Sequence, residues 1–206
     1  SLKADDTPAP TAKVGEWKWD GRGWCYRYED GSFPADAVLV IDGVTYRFDA
    51  AGYMRTGWVF EGGQWFYHAA SGAQVSGWVL SGVSWYYLEP ATGAMATGWV
   101  QVGSTWYYLS PATGAMHTGW LQEGGHWYYL QSGSGAMATG WLRIWGTWYH
   151  FADNGQLSAK RLAPGSRLTS SARASRSVSR EARACVCAVA RDGAGGWQAQ
   201  DPGMGG

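Results

Sequence analysis

A pair of tryptophans seven residues apart occurs five times at nearly constant intervals: Trp58/Trp65, Trp78/Trp85, Trp99/Trp106, Trp120/Trp127 and Trp141/Trp148. Each pair opens with Gly-Trp, and the step between copies is 20 residues once and 21 three times. Two ring-type residues follow the second Trp: Phe66-Tyr67, Tyr86-Tyr87, Tyr107-Tyr108, Tyr128-Tyr129 and Tyr149-His150. Three copies close with Gly-Ala-Met, at 93–95, 114–116 and 135–137. A short period held in register points to a repeat architecture, in which each unit buries its apolar face on its neighbours.

The chain has 206 residues, of which 15 are Trp and 31 are Gly. Rings and Gly with few long aliphatics argue against a helical bundle and for short strands with tight turns. Glu61-Gly62, Ser81-Gly82, Val102-Gly103 and Glu123-Gly124 sit between the two Trp of four copies. Read as two-residue hairpin loops with Gly second, they put Trp78 directly opposite Trp85. Tyr87 then shares their face, and Tyr86 points into packing. The fifth copy has Ile144-Trp145 there, with Gly one place late, so its hairpin is the least regular. A single hairpin is marginal in water, whereas five in series can stack. The expected fold is all-β, a solenoid (superhelix) of stacked β-hairpins.

The domain reading follows. Residues 1–14 form a linker, 15–56 degenerate opening repeats, and 57–157 five regular repeats. Residues 158–206 form a basic, low-complexity tail. The tail carries seven Arg and one Lys against Glu181, Asp192 and Asp201, a net +5. With Trp197 as its one ring, it is expected to stay largely disordered.

Sixteen basic and 16 acidic residues balance over the whole chain. That gives no case for nucleic acid as a partner. No apolar run reaches membrane-spanning length, so membrane insertion is not expected. The four His fall at four different repeat registers, and no paired carboxylates, P-loop or G-x-S-x-G element is present. The chain reads as non-catalytic, with no cofactor and no metal site. Cys25, Cys185 and Cys187 show neither metal-ligand spacing nor a disulfide framework.

The pattern Gly-Trp-x6-Trp-Tyr-Tyr followed by Gly-x-Met resembles the choline-binding, or cell-wall-binding, repeat family of pneumococcal-type autolysins, phage lysins and surface adhesins. The likeness runs from about Gly15 to Leu157. It implies choline sites between consecutive repeats, with two Trp from one hairpin, a Tyr from the next and a closing Met. Carried over, the first site is Trp58, Trp65, Tyr87 and Met95. The second is Trp78, Trp85, Tyr108 and Met116. The third is Trp99, Trp106, Tyr129 and Met137. A fourth, with Trp120 and Trp127, meets His150 and Leu157 where Tyr and Met belong. Val38 and Thr45 occupy the Trp positions of the preceding hairpin, so no site is expected before Trp58.

The resemblance further implies a secreted, cell-surface module that anchors a protein to choline-bearing teichoic or lipoteichoic acid. It also implies a cell-wall hydrolase as a neighbouring domain, toward which Lys3–Pro10 reads as linker. An uncapped fifth hairpin would leave an end open to weak self-association. The rival reading is a carbohydrate-binding module for a glucan or a toxin-type receptor sugar. Gln101, Gln122, Glu123 and His126 would then serve hydroxyl groups.

Overall fold

The computed structural model describes residues 9–161 and a short strand at 169–170. Among them there is no helix. Seven antiparallel hairpins follow one another. They are β1 (Gly15–Trp19) with β2 (Trp24–Tyr28), β3 (Ala37–Ile41) with β4 (Val44–Phe48), and β5 (Gly57–Glu61) with β6 (Gln64–His68). Next come β7 (Gly77–Ser81) with β8 (Ser84–Leu88), and β9 (Gly98–Val102) with β10 (Thr105–Leu109). The last two are β11 (Gly119–Glu123) with β12 (His126–Leu130), and β13 (Gly140–Ile144) with β14 (Thr147–Phe151). The chain divides into two compact units, Ser1–His117 and Thr118–Gly206.

The hairpin loop sits one residue later than the sequence pattern predicts. Ser81 pairs with Ser84, so Gly82-Val83 is the loop. Trp78 then faces Tyr87, and Leu80 faces Trp85. The reason is turn chemistry. Gly82 has φ 61° and Val83 is not in the left-handed region, which suits a turn with its glycine first. Gly62-Gly63 takes positive φ at both positions, the I′ pattern. The register moves by two, so the faces are preserved and the paired Trp become diagonal neighbours.

The fifth regular hairpin keeps the common register, with Ile144 opposite Thr147. It does so by holding Trp145 at φ 48° in a position meant for Gly, Asn or Asp. The indole is 65% exposed and so recovers little by packing. Trp145→Gly is expected to stabilise the protein by about 1 kcal/mol, the left-handed cost of a residue with a Cβ. A rise in thermal midpoint would show it.

Each hairpin has a forward face and a backward face. Trp78, Leu80, Trp85 and Tyr87 share the forward face; Val79, Tyr86 and Leu88 point back. Leu88, Leu109 and Leu130 are fully buried. Within the first unit, a short segment after a hairpin joins it to the one before. The Met95 N–H donates to the Trp65 carbonyl at 2.7 Å, and the Met116 N–H to the Trp85 carbonyl at 2.7 Å.

The margins extend further than the repeat pattern indicates. Pro10–Ala12, read as linker, hydrogen-bonds to Val40 of β3 at 2.8 and 2.9 Å. At the other end, β15 (Leu157–Arg161) pairs with β14, and β16 (Thr169–Ser170) pairs with β15. Residues 158–161, read as the start of the tail, therefore belong to the last sheet. Apart from β16, the rest of the predicted tail, with Cys185 and Cys187, lies outside the described residues.

Candidate functional site

Within the first unit, the forward face of one hairpin and the backward face of the next enclose a cleft at two places. Between β5–β6 and β7–β8, Trp58, Trp65, Tyr86, Met95 and Thr113 line a cavity of about 240 Å³. Trp58 and Trp65 stand edge to face, centroids 6.4 Å apart at 86°. Trp58 meets Tyr86 at 4.8 Å and is fixed by an Nε1–H bond to Ser81 Oγ at 3.0 Å. Trp65 keeps 42% of its surface exposed. The described lining has no carboxylate, amine or guanidinium. Its chemistry is ring faces, one thioether and the Tyr86 and Thr113 hydroxyls.

The next junction repeats this. Trp78 meets Tyr107 at 4.8 Å and 70°, Trp85 is 43% exposed, and Met116 is tied to the Trp85 strand. At both junctions the structure brings together the predicted Trp and Met but not the predicted phenol. Tyr86 lines the first cleft, and Tyr107 holds the same register against Trp78 at the next junction. Tyr87 and Tyr108 lie 7% exposed against Trp78 and Trp99 of their own hairpins, at 5.1 and 5.2 Å. Sharing a face with one's own Trp pair means facing forward. The ring that closes the preceding cleft must face back.

The predicted third set is split by the boundary between the units. Trp99 and Trp106 stand in the first unit, with Trp106 39% exposed. Tyr129 and Met137 stand in the second, where Tyr129 packs on Trp120 at 5.2 Å.

The predicted fourth set has no open cleft. Trp127, Tyr149, Phe151 and Leu157 form a buried cluster with Trp120 against it, and Trp127 is only 7% exposed. Tyr149, not His150, meets Trp120, at 4.9 Å. His150 packs on Trp141 at 5.0 Å, with its Nδ1 2.7 Å from Ser158 Oγ. β15 explains the closure. It pairs with β14, brings in Leu157, and sets the Lys160 Nζ 5.4 Å from the Tyr149 ring centre.

A cleft also exists where none was expected. Trp17, Trp24, Tyr46, Met54, Ala70 and Ser71 line a cavity of about 370 Å³ between β1–β2 and β3–β4. Trp17 meets Tyr46 at 4.8 Å, and the Met54 N–H donates to the Trp24 carbonyl at 2.7 Å. The Tyr53 hydroxyl donates to Asp20 Oδ2 at 2.7 Å and ties the two hairpins. That bond holds the Asp20 carboxyl below its usual range. The signal was in the sequence: Trp17 and Trp24 are also seven apart, but Glu16 stands where Gly introduces the regular pairs.

The second junction differs from all of these. Val38 and Thr45 supply no rings, and Arg47 lies over Phe66, 3.6 Å from the ring centre. Arg47 and His68 are 6% and 1% exposed. His68 Nδ1 is 2.7 Å from the Gly72 carbonyl, which can only accept, so this nitrogen carries the hydrogen. Nε2 then accepts from Arg47 Nη1 at 3.1 Å. Burial first, then the positive charges of Arg47 and Arg55, push the His68 pKa below 6.5, against the opposing pull of the Gly72 bond and Glu61. A His held neutral contributes stability in full above its unfolded pKa, and loses it as pH falls below that value. The thermal midpoint should therefore drop as pH is lowered from 7 through 6.5 toward 5, and His68→Gln should flatten that slope. The carboxylate bonds of Asp20 and Asp30 fail in a separate window, below about pH 4.

These clefts can be set beside known proteins. A choline-binding repeat profile matches residues 61–97 and 96–140, and a putative cell wall binding repeat profile matches 139–157. CbpJ of Streptococcus pneumoniae is 39% identical, with TM-score 0.66, over 70% of this chain and 52% of its own. Choline binding protein F of Streptococcus pneumoniae, solved in the presence of a peptidoglycan analogue, is 35% identical with TM-score 0.65 over 70% and 52%. The modular autolysin LytC of Streptococcus pneumoniae is 31% identical with TM-score 0.58, over 71% of this chain and 33% of its own. The chain thus spans about half the length of the first two and a third of LytC. No curated protein matches it. The matches fall on binding repeats, and with the Gly-Trp period and stacked hairpins they place this chain in the choline-binding, cell-wall-binding repeat family.

Proposed function

We propose that the chain is a non-catalytic cell-wall-binding module that takes the choline groups of teichoic or lipoteichoic acid into its open aromatic clefts. Trp58, Trp65, Tyr86 and Met95 form one seat; Trp78, Trp85, Tyr107 and Met116 form a second. Trp17, Trp24, Tyr46 and Met54 form a third, wider one. The observation that carries the reading is the first cleft: two indoles and a phenol converge without a charged partner. A quaternary ammonium has no N–H to donate, so ring faces suit it better than hydrogen-bonding groups. At about 0.5–2 kcal/mol per ring, three rings give roughly millimolar affinity. Several seats on one polymer raise that by about 10²–10⁴. Such a module would work at the cell surface, alone or joined to a wall hydrolase.

A sugar ligand would need converging polar groups, and the described side chains of the first cleft offer the Thr113 and Tyr86 hydroxyls and the Trp65 indole N–H, with no carboxylate or amide among them. Titration with choline, and separately with a glucan oligosaccharide, tests the reading through Trp fluorescence. Choline should shift the emission at millimolar concentration and the sugar should not. A response to the sugar alone would replace this reading with the carbohydrate one.

A further inference from the structure

The second junction retains one element of the open clefts. Phe66 occupies the register of Tyr86 and faces back toward the preceding hairpin. No indole meets it. Its partner is the Arg47 guanidinium, 3.6 Å from the ring centre. The Arg47 Nε donates to Glu61 Oε2 at 2.7 Å, and Nη1 donates to His68 Nε2 at 3.1 Å and to Gln74 Oε1. Gln74 stands at the register of Met95, the residue that closes the first cleft. Its own amide N–H donates to the Thr92 carbonyl at 3.1 Å, so its oxygen is held toward Arg47.

These contacts are what a pocket would need to bind a planar cation: one aromatic face, one carboxylate and two neutral acceptors for in-plane N–H groups. Burying such a charge is costly unless its donors are met, and here the three partners come from 14, 21 and 27 residues away. We propose that Arg47 is a built-in ligand. The second junction is an aromatic cation seat that the chain fills with its own guanidinium. It excludes external ammonium groups, and its acceptors select alkylguanidinium over quaternary ammonium, which has no N–H to give them. This rests on the preceding reading only in treating rings between hairpins as cation seats.

Chemical rescue tests it. Arg47→Ala should lower the thermal midpoint by several degrees. Millimolar methylguanidinium chloride should restore a large part of that loss, relative to sodium chloride at equal ionic strength. Tetramethylammonium should not restore it, and the rescue should vanish in Arg47→Ala/Phe66→Ala. If methylguanidinium shifts Arg47→Ala no more than wild type, or tetramethylammonium rescues equally, the assignment is wrong. Should Arg47→Ala not fold alone, refolding from urea with and without methylguanidinium reads the same point: native near-ultraviolet dichroism should return only with it, and no return overturns the proposal. Choline binding by wild type is a separate readout. Its failure sinks the preceding proposal and leaves this one standing.

Discussion

Trp65→Ala should weaken choline binding at the first cleft about tenfold, within the range one lost ring gives, and leave the second cleft intact. Trp65 is the more exposed wall of that cleft and owes less to the fold than Trp58, which is held by Ser81, Tyr67 and Tyr86. Its loss should therefore cost binding more than stability. Trp85→Ala should do the converse, sparing the first cleft. The two tyrosines separate the alternatives further. Tyr86→Ala should weaken the first seat by a similar factor. Tyr87→Ala should lower stability and disturb the second seat, because that ring supports Trp78. Site-resolved titration by NMR of the Trp indole signals distinguishes these outcomes. Equal weakening of both clefts by Trp65→Ala would refute the assignment of walls to seats.

Gly114→Ala should destabilise the protein by about 3 kcal/mol, combining a left-handed backbone with overpacking. Gly114 has φ 74°, and a Cβ there would overlap the Met95 sulfur. Gly103 is the control: its φ is 63°, but nothing lies within 4 Å of an added Cβ. Gly103→Ala should cost only the backbone part, about 1 kcal/mol. Urea unfolding of both variants measures the difference. Gly114→Ala should also weaken choline at the first cleft, because Met95 closes it. Equal costs at the two positions would mean that Met95 yields freely and that the Gly-Met contact does not lock neighbouring repeats.

Much of this architecture was legible because the repeat states its geometry several times over. Gly-Trp spacing located five hairpins, and alternation placed Trp78, Trp85 and Tyr87 on one face despite a loop misplaced by one residue. The expected phenol, Tyr87, differs from the one that lines the cleft, Tyr86, for a reason alternation cannot supply. It sorts residues within one hairpin, whereas Tyr86 acts on the hairpin before it. The N-terminal cleft escaped notice because its Trp pair lacks the preceding Gly. The closure around Trp127 escaped because β15 begins where the repeat pattern stops. Arg47 was not legible at all. Its burial depends on Glu61, Phe66, His68 and Gln74 meeting in space, and the repeat pattern marks Glu61 only as a turn residue and Phe66 only as a ring.

The central claim is that rings from adjacent hairpins hold a methylated cation. A crystal structure of the chain grown with choline tests it most directly. The account predicts the trimethylammonium group within about 6 Å of the Trp58, Trp65 and Tyr86 ring centres, and the Arg47 junction unchanged. Choline bound elsewhere, with that cleft empty at saturating concentration, would contradict it.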